Sequence, residues 1–200
     1  DADTIVLREP SQFLLPPAAS LGYRPVHHRL IGPGWEEPLD RFWQLIYSTF
    51  GVPEDRLFPM ITHAGERISP YLNAGLLVVR PGRGRLTRWW NNCRAALRHP
   101  GLMGCCRDSE LHAVFLHQAV LTATVLAALP AHEMHQFGPE VNYPLHLHHE
   151  MPPDRRASLV DHLTTVRYED VFTRPGWQEG FPIGSSLRDW LEANLAGSPA

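Results

Sequence analysis

The sequence contains no lysine: all 18 basic residues are arginine, against 21 aspartate and glutamate residues and a formal net charge of -3. Such a balance is unlike the basic footprint of a nucleic-acid-binding protein. The sequence shows no run of basic residues and no basic aromatic patch. The composition therefore predicts no nucleic-acid partner.

Cysteine is scarce, and the three residues present, Cys93, Cys105 and Cys106, are odd in number with two adjacent. This pattern gives no disulfide framework and indicates a reducing, cytoplasmic location. No apolar run of about 18 residues predicts a transmembrane helix, and the start lacks the pattern of a signal peptide. Because the chain opens at Asp1 without Met, we expect it to be a fragment or a processed product of a longer protein.

The chain also lacks repeats and low-complexity tracts. Its 200 residues, of which 44% are hydrophobic, predict a single domain over residues 1–200 with a sizeable core. Short apolar runs alternate with amphipathic segments, which predicts an α/β fold. Residues 10–34 are predicted to be mostly loop. Helices are expected at 36–50, 85–98, 109–129 and 185–195, and strands at 4–7, 72–79, 133–137 and 163–168.

Polar residues interrupt two of these apolar elements. Asn73-Ala74-Gly75 lies inside the strand predicted to be buried on both faces, where a ligand, a β-bulge or a close helix contact would each account for it. Gln118 lies on the apolar stripe of its helix, where a buried amide must find partners. It either faces a pocket or binds loop backbone, and the adjacent His117 is equally ambiguous.

Histidines and carboxylates supply the remaining candidates. His146 and His148 would share a face in an extended segment, as a metal pair requires, and with His149 they also suit a solvated loop. His27-His28 has no partner motif. Asp1-Ala2-Asp3 precedes an apolar run, where two carboxylates could bind one hard cation, although this pattern also occurs by chance.

Taken together, these segments form a pattern that extends over nearly the whole chain. It consists of Asp1-Ala2-Asp3 with the strand after it, Ser69–Pro81 around Asn73-Ala74-Gly75, Trp89, Phe115–Leu121 and Val141–Leu145. The pattern resembles the GT-A-fold nucleotide-diphospho-sugar transferases, in particular glycosyltransferase family eight. The resemblance implies a GT-A-like mixed sheet flanked by helices, beginning at the Asp-x-Asp motif and without the N-terminal nucleotide-binding strands.

The resemblance also implies roles for individual residues. Asp1 and Asp3 would hold Mn²⁺ or Mg²⁺ against the donor diphosphate. Asn73, Ala74 and Gly75 would line the sugar and acceptor side, together with His117 and Gln118, and Asn73 and Gln118 would lie at the catalytic centre. These residues are expected to converge on one cleft. The expected reaction is sugar transfer from a nucleotide-diphospho-sugar to a hydroxyl acceptor.

Three departures from the family pattern qualify this expectation. His117 replaces an acidic residue that is common there, and Arg167 stands where a third metal ligand is usual. Arg167 could instead neutralise the diphosphate directly. Because the nucleotide-binding strands are missing, we expect the chain alone to bind metal weakly and to show no appreciable turnover. The alternatives are a non-catalytic sugar- or partner-binding domain and a histidine-rich metal-binding module.

Overall fold

The structure, a computed structural model, describes residues 3–195, apart from the side chain of Arg83. It is a mixed α/β protein with small sheets and helices. Its contacts divide into two compact units. We call residues 15–62 and 66–136 the central unit, and residues 3–14, 63–65 and 137–195 the terminal unit.

The central unit is built on a three-stranded mixed sheet with the strand order β5-β2-β6. β2 (Leu21–Pro25) pairs antiparallel with β5 (Leu72–Val79) and parallel with β6 (Met134–Gln136). Two strands of two residues each, β3 (Met60–Ile61) and β4 (Arg67–Ile68), pair antiparallel in a separate two-stranded sheet.

Four helices complete the central unit: α1 (Arg41–Phe50), α2 (Arg85–Ala96), α3 (Pro100–Asp108) and α4 (Glu110–Ala128). They share one hydrophobic core with the sheet. The Asp40 carboxylate accepts a hydrogen bond from the Trp43 amide and caps α1, and Gly51 ends that helix in a left-handed conformation.

The terminal unit holds a second three-stranded sheet with the order β1-β8-β7. β8 (Thr165–Arg167) pairs antiparallel with β1 (Thr4–Val6) and parallel with β7 (Tyr143–Pro144). The short helix α5 (Trp177–Gly180) and α6 (Ser185–Leu195) complete this unit, which has its own hydrophobic core.

Several elements differ from the sequence-based predictions. Residues 10–34 are not mostly loop, because the fully buried β2 lies within them at the centre of a sheet. The first helix begins at Arg41 rather than near residue 36. Pro100, which we expected to follow the end of a helix, opens the unpredicted α3, since proline at the first helical position removes an amide that has no intrahelical partner.

Burial also departs from the predicted pattern. Only Leu72 and Asn73 of β5 are buried, so this strand is not enclosed on both faces. Three apolar side chains of α2 and α4, Leu86, Leu111 and Val114, are about half exposed, at 50%, 47% and 52%. The buried part of α4 instead runs from Leu116 to Leu126.

By length and composition, α4 alone among the described helices is long and apolar enough to cross a membrane. The sequence analysis expected no such segment. More than half of its most apolar stretch is buried within the structure, and a core helix of a soluble protein passes the same test, so this is weak evidence for a membrane span.

Candidate functional site

The polar segment Asn73-Ala74-Gly75 lies at an irregularity in the β2–β5 ladder. Tyr23 pairs with Leu77 and Pro25 pairs with Leu72, so that Arg24 alone faces residues 73–76 of β5. A bulge of this kind bends the strand and leaves backbone groups without ladder partners. One of the explanations that the sequence left open, a β-bulge, is therefore present in the structure.

Helix α4 supplies hydrogen-bond partners for two amides of this irregular strand. Gln118 Oε1 accepts a hydrogen bond from the Ala74 amide at 2.9 Å, and Thr122 Oγ1 accepts one from the Leu72 amide at 3.0 Å. The Thr122 hydroxyl in turn donates to the Gln118 carbonyl at 3.0 Å. Residues four apart on a helix share a face, and alternate strand residues direct their amides to the same side. Gln118 and Thr122 thus cover the outer edge of β5.

Both polar atoms of the Asn73 side-chain amide form hydrogen bonds. Its Oδ1 accepts a hydrogen bond from the Gly75 amide at 2.7 Å, and its Nδ2 lies 3.2 Å from Nε2 of His27. Since the Asn73 amide nitrogen can only donate, Nε2 of His27 accepts this bond. The Asn73 side chain is only 4% exposed, whereas Ala74 and Gly75 are partly accessible. The surface offered by this segment is therefore mainly backbone.

His117 differs from its neighbour Gln118 in exposure and in contacts. Its imidazole is exposed and Nδ1 lies 3.0 Å from the Val114 carbonyl. The His117 carbonyl accepts a hydrogen bond from the Trp89 indole at 2.9 Å, which ties α4 to α2. The side chain is accessible to a ligand, but its described contacts lie within the central unit's own helices.

The second group of predicted residues lies in the terminal unit, where it forms a charged cluster. Arg167, at the end of β8, places Nε 3.1 Å from Asp3 Oδ2 and 3.4 Å from Glu169 Oε1. His146 Nε2 lies 3.3 Å from the same Glu169 oxygen. Burial lowers the pKa of His146, opposed by the nearby Glu169 carboxylate. We call Asp3, His146, Arg167 and Glu169 the Arg167 cluster.

His146 lies in the Arg167 cluster, whereas the rings of His148 and His149 pack against each other and against Phe181. Residues Leu145–Leu147 form a 3-10 turn rather than an extended segment, so the predicted shared face of His146 and His148 is not formed. His148 Nδ1 lies 2.7 Å from the Tyr143 hydroxyl, which itself accepts a hydrogen bond from the Ala157 amide. His149 Nε2 lies 2.6 Å from the Gly180 carbonyl. The histidines therefore serve mainly local packing and hydrogen bonding.

The Arg167 cluster differs from a divalent-cation site. Its central group is a guanidinium, which has five donors and no acceptor, and the carboxylate of Asp3 is already paired with it. Within residues 3–195, no three His, Cys, Asp or Glu side chains are placed to hold a metal ion. Asp1, the other predicted metal ligand, lies outside the described residues.

A separate cavity of about 210 Å³ lies within the central unit, between the sheet and helices α2 and α4. It borders β5 at Leu77 and Val79, beyond the Asn73–Gly75 segment, and its lining is mostly apolar. Arg85 and Arg88 are the charged groups in its wall. This chemistry does not suit the hydroxyl-rich surface of a sugar.

Comparisons of the chain with protein-family models, with curated proteins and with solved structures found no match.

The structure thus brings the predicted residues into two groups, each described within its own unit. Asn73, Ala74, Gly75 and Gln118 are in contact in the central unit, and Asp3 and Arg167 pair in the terminal unit. The sequence analysis missed the partners His27, Thr122 and Glu169. Thr122 was detectable in principle, since a second polar residue one turn after Gln118 repeats the anomaly on the same helix face.

Proposed function

We propose that the chain is a glycosyltransferase-like domain that acts on a nucleotide-diphospho-sugar and a hydroxyl acceptor. The observation that carries this proposal is the hydrogen bond between the Ala74 amide and Gln118 Oε1, which joins two of the motifs in the family resemblance across 44 residues. The resemblance assigns both motifs to the sugar side of the site, and their direct contact supports a common role there.

In this proposal Asn73 and Gln118 are positioning residues. Both side chains are almost fully buried, and their amides hold the backbone of Ala74 and Gly75 in its bulged shape. The accessible backbone of Ala74 and Gly75 then contacts the sugar. This assignment modifies the expectation from sequence, in which Asn73 and Gln118 themselves acted at the catalytic centre.

By the family resemblance, Arg167 would bind the donor diphosphate. Its guanidinium forms charge-assisted, bidentate hydrogen bonds with phosphate oxygens, and such bonds strengthen as the leaving diphosphate gains negative charge. In the transfer, the acceptor oxygen bonds to the anomeric carbon while the bond from that carbon to the phosphate oxygen breaks. The nucleoside diphosphate leaves with the electron pair, and the proton of the acceptor hydroxyl passes to solvent.

A nucleotide-release assay on a panel of UDP- and GDP-sugars tests the proposal, using the product of the complete open reading frame. We expect release from at least one donor, and a loss of at least about tenfold in Arg167→Ala, which corresponds to 1.4 kcal/mol. Arg174→Ala is the matched control, because Arg174 is an exposed arginine of the same unit that is paired with Asp170. A protein inactive on every donor would refute the transferase proposal.

A second candidate is a non-catalytic sugar- or partner-binding domain. It is favoured by the fact that Asp3 and Gln118 both use their side-chain oxygens on internal partners, Arg167 and the Ala74 amide. Equilibrium binding of free sugars or nucleotide sugars, without any release of nucleotide, would support this candidate.

A further inference from the structure

The near-neutral total charge of the chain conceals a strong asymmetry. Residues 67–107 contain eight arginines and no aspartate or glutamate, giving this segment a charge of +8, whereas the remaining residues carry -11. Trp89 and Trp90 lie in the middle of this segment. Helix α2 is its central element.

One side of α2 is held firmly by the central unit. Ala96 is fully buried, the Trp89 indole donates to the His117 carbonyl, and Asn92 Nδ2 donates to Thr124 Oγ1 at 2.9 Å. These contacts fix the rotation of the helix about its axis. The face that α2 turns to the outside is therefore a defined surface.

Apolar and basic side chains lie next to each other on that outer surface. Leu86, Trp90 and Leu97 are 50%, 66% and 59% exposed, and their spacing of four and seven residues puts them on one flank of α2. Arg94 follows Trp90 by four residues and borders this flank, and Arg98, two residues after the end of α2, is also exposed. We call Leu86, Trp90, Arg94, Leu97 and Arg98 the α2 surface.

We propose that the α2 surface docks on a membrane that contains anionic lipids. A helix with arginines beside an exposed tryptophan and leucines has the composition of an interfacial helix, in which the apolar flank enters the headgroup region and the arginines bind lipid phosphates. Tryptophan favours this boundary because its ring is apolar and its N–H is polar. The positive charges of Arg94 and Arg98 complement the negative surface of such a membrane.

The exposed leucines favour a membrane over a nucleic acid. Single-stranded nucleic acids bind through arginine and through stacking of bases on aromatic rings, and Leu86 and Leu97 offer neither a charge nor a ring. A lipid surface uses all three apolar side chains as well as the arginines. The inference does not depend on the proposed transferase activity, because none of these residues belongs to the Asn73–Gly75 segment or to the Arg167 cluster.

Co-flotation of the full chain with vesicles tests the proposal. We expect binding to phosphatidylcholine vesicles that contain phosphatidylglycerol, much weaker binding to phosphatidylcholine alone, and a decrease with added salt. Each basic residue near an anionic surface changes partitioning by about fivefold. Reversing one charge in Arg94→Glu should therefore reduce binding by more than about tenfold, and Trp90→Ala should reduce it several-fold.

Two control variants test whether a loss of vesicle binding is specific to the α2 surface. Arg41→Glu reverses an exposed arginine of the same unit outside α2, and Trp190→Ala removes a tryptophan that is 48% exposed on α6. Both should bind vesicles like the wild type. Equal losses in test and control variants, equal binding to neutral vesicles, or binding to poly(U) RNA in place of vesicles would each overturn the proposal.

Discussion

The side-chain oxygen of Gln118 lies 2.9 Å from the amide nitrogen of Ala74 and accepts its hydrogen bond. This contact joins the middle of the core helix α4 to the edge of a sheet at the point where the strand bulges. Thr122, one turn later, does the same for the Leu72 amide. The bulge would otherwise leave buried backbone donors unpaired, so the two side chains stabilise a strand shape that the ladder alone does not.

Gln118→Ala should lower the free energy of unfolding by about 1–3 kcal/mol, because it leaves the Ala74 amide without an acceptor. Thr122→Val, which preserves shape and removes the acceptor for Leu72, should have a similar effect. Urea unfolding followed by circular dichroism measures both. His117→Ala is the neighbouring control on an exposed side chain, and a comparable loss there would show that the Gln118 bond is not the cause.

Substitution of Arg167 tests the prediction that the chain binds Mn²⁺ only weakly. The wild-type chain should bind Mn²⁺ weakly, since the guanidinium occupies the Asp3 carboxylate. Arg167→His removes that charge and supplies a nitrogen ligand beside Asp3, so Mn²⁺ affinity should rise at least about tenfold, or 1.4 kcal/mol, in calorimetric titration. Arg174→His controls for charge removal elsewhere in the unit. Unchanged affinity in Arg167→His would mean that Asp3 does not take part in metal binding.

Stability should depend on the protonation of His148. Burial lowers the pKa of this imidazole from 6.5 to about 4, with smaller contributions from His149 and Arg156. Since the unfolded chain binds the proton more readily, the stabilisation is complete above about pH 6.5 and is lost as the pH falls towards 4. The loss should be roughly 1–3 kcal/mol.

Replacing His148 with glutamine tests this dependence, because glutamine keeps an acceptor for the Tyr143 hydroxyl and cannot titrate. The decline in unfolding free energy between pH 6.5 and 4 should be shallower in His148→Gln than in the wild type. His132→Gln, at an exposed position, should leave the pH profile unchanged. Identical profiles for wild type and His148→Gln would exclude His148 as the source.

The sequence predicted the elements whose side-chain periodicity is strong and local. The strand Leu72–Val79 and the helix Ser185–Leu195 have the predicted bounds. β2 was missed because Gly22 and Pro25 disfavour a strand, and only its pairing with β5 and β6 on either side stabilises it. That information lies in residues far along the chain, which a local pattern cannot contain.

The candidate site was predictable to the extent that its residues break a pattern. A glutamine on an apolar stripe and an Asn-Ala-Gly in a strand each indicated a special environment, and the structure puts them in contact. His27, the partner of Asn73, was not predictable because it breaks no local rule, and the same holds for Glu169, the partner of Arg167. The charge of residues 67–107 can be counted from the sequence. The exposed flank of α2 could be identified only from the exposure of each side chain in the structure.

Gly51 ends helix α1 with a φ angle of 66°. This left-handed conformation strains residues that have a Cβ atom, by roughly 1–2 kcal/mol. A Cβ added at Gly51 would meet no atom within 4 Å, so the backbone conformation alone determines the cost. Gly51→Ala should therefore lower the free energy of unfolding by about 1 kcal/mol, measured by urea denaturation, and Gly51→Asn should lose less because asparagine tolerates this region. Gly82→Ala is the matched control, since its Cβ would also meet open space and its φ is not in the left-handed region. Equal effects of the alanine substitutions at both positions would show that the left-handed end of α1 does not set the cost.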